Sequence, residues 1–155
     1  MNIEEEIHKL KGEYLIDSNR TMNMECLQFG EEKNNPKYGL HIHSNWRIIH
    51  ENKIIIGSND LYEPPINVEY SEEFNYENEN LRDEKMIKIL KNKNLRIKEV
   101  ELNELKDLTI KFENNFELQV LSFLTIESEY NEYWRVLDRI NDIHYVARLN
   151  ELSKE

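Results

Sequence analysis

The sequence predicts an α+β domain, a mainly antiparallel β-sheet with one central helix and a short N-terminal helix. Three observations lead there. Short apolar runs alternate with polar residues at period two, two pairs of such runs are joined by Asn-containing turns, and one internal segment changes to helical spacing. The 155 residues are an ordinary length for one domain, and 39% hydrophobic and 10% aromatic content can fill its core. No internal repeat and no linker composition divides residues 1–155, so a single domain is expected.

Ile3, Ile7 and Leu10 share one helical face, which predicts a helix over 3–11 ended by Gly12. From Tyr14 to Phe29 the pattern is that of a strand, with Met22, Met24 and Cys26 on one face and Leu27 and Phe29 on the other. Glu31 to Pro36 reads as a loop. Tyr38, Leu40, Ile42, Ser44, Trp46 and Ile48 then alternate strictly with polar residues, the pattern of one continuous strand. His50-Glu51-Asn52-Lys53 reads as a tight hairpin between this half-buried strand and a more fully buried one, Ile54-Ile55-Ile56.

The central helix is expected over 81–93, with Leu81, Met86, Ile89 and Leu90 inward and Lys85, Lys88, Lys91 and Lys93 in water. Val100, Leu102 and Leu105 extend the sheet. A second hairpin follows, in which Asn114-Asn115 joins Leu108, Ile110 and Phe112 to Phe116, Leu118 and Val120; asparagine tolerates the positive φ such a turn requires. Tyr133 to Leu137 reads as a last strand, and Ile140 to Leu152 as either strand or terminal helix.

Composition narrows the function. With 31 Asp and Glu against 20 Lys and Arg, the formal charge is −11, which disfavours nucleic acid and favours a basic protein partner. A single cysteine, Cys26, and a start of Met1-Asn-Ile-Glu-Glu-Glu, with neither a basic cluster nor an apolar run, suggest a reducing cytoplasm. No window approaches the ~20 apolar residues of a membrane span. Twenty Asn and seventeen Ile beside one Ala suit an AT-rich genome.

The charge is organised along the chain. Seven acids and no base lie between Asp60 and Asn80, whereas Lys85 to Lys98 holds six bases and no acid. Acids near the helix start, such as Asp83 and Glu84, have a structural account worth ~0.3–1 kcal/mol, but that does not explain a whole acidic loop. Aromatic residues are interleaved with the acids, as in protein interfaces. The candidate partner-binding set is therefore Asp60, Tyr62, Glu69, Tyr70, Glu72, Glu73, Tyr76, Glu77 and Glu79, with Phe74 among them and Pro64-Pro65 stiffening the segment. A solvated polar loop is the plain alternative.

Constellations for catalysis are sparse. His41 and His43 project from the same face of their strand and offer two metal nitrogens, but no Cys pair or HExxH spacing supplies further ligands, and Arg47 on that face repels a cation. Cys26 sits in an apolar segment, Ser44 and Ser58 lack a nucleophile elbow, and four glycines build no phosphate loop. No catalytic residue, cofactor or metal is assigned. Glu127 to Arg135 forms a second acidic and aromatic cluster, in which Trp134, like Trp46, reads as a core anchor followed by Arg.

His41-Ile42-His43-Ser44-Asn45-Trp46-Arg47-Ile48, then Gly57-Ser58-Asn59-Asp60-Leu61-Tyr62, then the Glu-rich run ending in Tyr133-Trp134-Arg135 carry a resemblance. Over 38–62 and 116–137 the chain resembles small bacterial immunity proteins of polymorphic or contact-dependent toxin systems. The resemblance implies a cytoplasmic, non-enzymatic protein that binds and blocks one cognate toxin, typically a nuclease with a basic surface. It assigns no residue a role. Two other classes remain open: a small metal- or ligand-binding enzyme using His41 and His43, and a structural or adaptor subunit that pairs through an exposed strand edge.

Overall fold

Residues 2–92 and 94–155 are described by a computed structural model; Lys93, the last residue of the expected 81–93 helix, lies outside them. Helix α1 (Ile3–Ile7) continues as a 3-10 turn to Leu10, and α2 spans Leu81–Asn92. Strands β1 (Tyr14–Thr21), β2 (Met24–Gly30), β3 (Tyr38–Ile42), β9 (Trp134–Asp138), β10 (Ile143–Arg148) and β11 (Glu151–Lys154) form one sheet in that order. The second sheet runs β5 (Lys53–Gly57), β4 (Asn45–His50), β8 (Phe116–Leu121), β7 (Leu108–Phe112) and β6 (Ile97–Leu102). All these pairings are antiparallel, so the α+β class with a central and an N-terminal helix stands.

Both sheets contribute to one hydrophobic core, with Leu27, Leu40, Trp134 and Val136 from the first and Ile48, Ile110, Leu118 and Val120 from the second. The chain crosses between the sheets at His43-Ser44. There the expected continuous 38–48 strand divides into β3 and β4, because the backbone N–H groups of His43 and Ser44 both turn to the Tyr133 carbonyl, at 2.9 and 3.1 Å. Alternation survives the corner, since Ser44, Trp46 and Ile48 remain buried. Such a switch satisfies the period-two pattern in both sheets and leaves no mark in it.

Other elements depart from expectation for equally local reasons. The 14–29 segment is a hairpin, with Met22 at its turn in a left-handed conformation (φ 54°) and 68% exposed, a place where Asn or Gly is usual. Ile54-Ile55-Ile56 lies in the edge strand β5, and only Ile56 is buried. Leu105 sits in the β6–β7 turn, 72% exposed, instead of extending the sheet. The C-terminal segment is strand, as β10 and β11. Both Asn-containing hairpins form as expected, with Glu51 and Asn52 at φ 50° and 66° and Asn114 and Asn115 at 67° and 64°.

A buried ion pair seats α2. Arg82 and Glu25 are each 2% exposed, with Nη2 and Oε2 3.1 Å apart. Arg82 also donates to the Ser58 and Asn23 carbonyls at 3.0 Å and stacks 5.3 Å from the Trp46 ring, while Ser18 Oγ donates to Glu25 at 2.6 Å. Burial pushes the Glu25 carboxyl up, and the Ser18 hydrogen bond and the Arg82 charge oppose it. In a second cluster, Lys9 donates to Asp138 at 2.8 Å and to the Tyr145 hydroxyl at 2.7 Å, and that hydroxyl donates to Glu6, tying the N-terminal helix segment to β9 and β10. Burial alone would raise the Asp138 carboxyl, but hydrogen bonds from Asn141 and Lys9 hold it below the usual aspartate range.

Two outcomes follow from these pairs. Arg82→Met should lower unfolding stability by about 3–5 kcal/mol by leaving Glu25 charged and unpaired, and adding Glu25→Leu should restore much of it, both read from urea unfolding at neutral pH. Because the native Asp138 carboxyl lies below its unfolded value, its contribution is complete above the ordinary aspartate pKa and is lost as pH falls through the native one. Asp138→Asn should therefore unfold at a lower urea concentration than the parent at pH 7, with the gap narrowing as the pH is taken to about 3.

Candidate functional site

The acidic segment is tied down at both ends. At its start Asp60 accepts from the Gly57 backbone N–H at 2.9 Å and from Lys85 at 3.4 Å. At its end Asn80 caps α2, its side-chain oxygen accepting from the Asp83 N–H at 2.8 Å and its amide donating to the Tyr76 carbonyl. The Leu81 N–H donates to the Glu63 carbonyl at 2.9 Å and closes the loop across its base. Arg20 then grips the return path. Its guanidinium forks onto Asp83 through Nε and Nη2, 3.0 to 3.2 Å from the carboxylate, and Nη2 also reaches the Tyr76 and Glu77 carbonyls at 3.3 Å. Further along, the Ile66 N–H donates to Glu84 at 2.8 Å.

What this frame presents is acidic and apolar together. Tyr62, Ile66, Val68 and Tyr70 are 50, 52, 44 and 73% exposed. Tyr62 meets half-buried Tyr76 edge to face at 5.3 Å, and Tyr70 meets Phe74 at 6.0 Å, so the aromatic side chains brace one another. Glu69, Glu72, Glu73, Glu77 and Glu79 are exposed, and among the described residues no ion pair neutralises them. A shallow depression of about 350 Å³ runs between Val68, Glu69, Glu73, Phe74, Asn78 and Glu79. Of the nine expected residues, Asp60 differs: its carboxylate is engaged by the fold and by Lys85.

Sequence reasoning did not single out Ile66, Val68, Asn80 or Arg82. Arg82 had a signal, since it shares a helical face with Met86 and Ile89, and an arginine on a core-facing stripe calls for a buried acid. Ile66 and Val68 are exposed apolar residues inside an acidic loop, visible in the sequence as interruptions of its polar run.

The histidines are placed differently. His41 is half-buried on β3 and His43 is exposed at the corner, 3.8 Å from Glu132. Burial and the nearby Arg139 hold the His41 imidazole below its usual value. Arg135 occupies Glu132 through Nε at 3.0 Å and Nη2 at 3.1 Å, and its Nη1 lies 2.7 Å from His144. Two arginines beside the histidines oppose a cation, and among the described residues no three His, Cys, Asp or Glu side chains are grouped to hold a metal. Cys26 is buried, and burial raises its thiol pKa.

A concavity of about 800 Å³ lies on the five-stranded sheet between Ile49, Lys98, Lys111, Phe112, Glu117 and Gln119, and shares no residue with the acidic segment. No helix among the described residues is long and apolar enough to cross a membrane. Comparison with models of protein families, with curated proteins and with solved structures finds no match for this chain.

The anchoring predicts a measurable rigidity. Asn80→Ala should cost about 1 kcal/mol of stability through the lost cap. Together with Asp83→Asn, which weakens the grip of Arg20, it should raise hydrogen exchange across 62–79 while leaving the core strands β4 and β8 protected.

Proposed function

We propose that this is a non-enzymatic acidic binding protein of the immunity type, acting in the cytoplasm, which neutralises a cognate bacterial toxin by covering the toxin's basic active surface, a nuclease surface being the typical case. The observation that carries this reading is the 62–79 loop. Among the described residues it offers five carboxylates with no ion pair and four exposed apolar side chains, on a frame locked at both ends by Asp60, Asn80 and Arg20. An anchored loop loses little conformational entropy on docking, and aromatic anchors inside a charged rim suit a protein partner. The same charge repels phosphate-bearing polymers and anionic lipid surfaces, so it favours a basic protein over nucleic acid or membrane.

The test is protection. The reading requires a basic toxin encoded in a neighbouring reading frame, and producing this protein beside that toxin should restore growth to cells that the toxin alone kills. Changing Glu69, Glu72, Glu73 and Glu77 together to Lys should slow association by at least about tenfold at low ionic strength, with the difference shrinking as salt is raised. Equal protection and equal association by the charge-reversed protein would remove the loop from this function.

A further inference from the structure

The two longest stretches of the chain without lysine or arginine are 54–81 and 112–134. The first contains the acidic loop already described. The second contains the 122–132 connection between β8 and β9, which holds Glu127, Glu129 and Glu132. Seven acids in one loop and three in the other make ten of the 31, with none of the 20 bases, against a formal charge of −11 for the whole chain.

Topology brings these loops to one place. The 122–132 loop leaves the sheet at Leu121, which pairs with Asn45, and returns through Tyr133, whose carbonyl accepts from His43 and Ser44. The 60–80 loop departs from the same corner, where Ser58 Oγ accepts from the Trp46 N–H at 3.1 Å, and comes back to it through Arg82, 5.3 Å from the Trp46 ring. Both therefore spring from the crossing between the two sheets.

The second loop has the same make-up as the first. Phe123, Ile126 and Tyr130 are 48, 65 and 85% exposed, and neighbouring Leu105 is 72% exposed on a turn joined to this loop by Ser122 N–H donating to Asp107 at 2.7 Å. Its backbone is held by Tyr133 Oη donating to the Leu124 carbonyl at 2.6 Å and Arg148 Nε donating to the Glu129 carbonyl at 3.0 Å. Glu132 is neutralised by Arg135, whereas the Glu127 and Glu129 carboxylates have no ion pair among the described residues.

We propose that the 60–80 and 122–132 loops form one docking face, engaged at once by a single basic protein domain whose cationic residues flank an apolar patch, with Tyr70 on one loop and Tyr130 on the other as anchors. This rests on the reading of the first loop as an interface and extends it to residues outside that loop. Charge selects the sign of the partner, and the exposed aromatic and aliphatic side chains select a protein over a simple polycation.

The probe is a synthetic helix of about 20 residues, about 30 Å long, with Lys and Arg on one face and Leu and Trp on the other. Added to the isotope-labelled full chain, it should shift backbone amide resonances in both 62–79 and 123–131, while the same helix with Glu in place of Lys and Arg shifts neither. Glu127→Lys with Tyr130→Ala, both at exposed positions, should weaken binding about tenfold with an unchanged melting curve, as should Glu69→Lys with Tyr70→Ala. Shifts confined to 62–79, or unchanged affinity of the Glu127 and Tyr130 variant, would overturn the joint face and leave the first loop's reading standing. Shifts confined to 123–131, or in neither segment, would overturn both.

Discussion

The seating of α2, and with it the return end of the acidic loop, depends on where the Arg82 guanidinium lies. It is enclosed by Glu25 from β2, the Ser58 and Asn23 carbonyls and the Trp46 ring, so one side chain joins α2 to both sheets and to two turns. Among its described residues helix α2 has only Met86 and Ile89 buried besides Arg82, a narrow apolar stripe for fixing its rotation. A buried charge tolerates one arrangement, the one in which its partners are met, because several kcal/mol of desolvation oppose any other. With α2 seated, Asn80 and Asp83 stand where Arg20 can hold the end of the loop.

Charge is arranged in two ways in this protein. Across much of the surface it is paired locally, as in Arg96 with Glu113, Lys111 with Glu101, and Lys37 with Glu13. Exposed pairs of this sort add little stability, but they cancel the field outside. The loops near the Trp46 corner differ, because Glu69, Glu72, Glu73, Glu77, Glu79, Glu127 and Glu129 have no such partners among the described residues. A field left uncancelled over one region accelerates encounter with an oppositely charged body, and Tyr62, Tyr70 and Tyr130 stand exposed on these same loops.

Local chemistry made parts of this architecture legible. Asn52, Asn114 and Asn115 take the positive φ that their hairpins need, and the period of Met86 and Ile89 marks α2. Met22 takes the same kind of φ with no residue preference to announce it, which hid the β1–β2 turn. Likewise the alternation from Tyr38 to Ile48 describes which residues are buried and is silent on which sheet buries them, so the corner at His43-Ser44 could not be read. Composition alone marks the nine acidic and aromatic positions of the first loop as a candidate set, within which the fold engages Asp60 and half-buries Tyr76. Their anchors were not legible, since Arg20 reaches the Tyr76 carbonyl and Arg82 the Asn23 carbonyl across 56 and 59 residues of sequence.

The sequence by itself determined the antiparallel α+β class, the Asn-bearing hairpins, the central helix and the separation of acidic from basic segments. Each of these is a property of neighbouring residues, expressed through side-chain period, turn preference or charge count. Tertiary structure alone decided that the strands divide into two sheets, that Ile54 lies on an edge and is exposed, and that the two base-free loops depart from one corner. Those outcomes depend on long-range pairing and on the burial of one ion pair, whose free energies come from contacts between distant parts of the chain that no local pattern encodes.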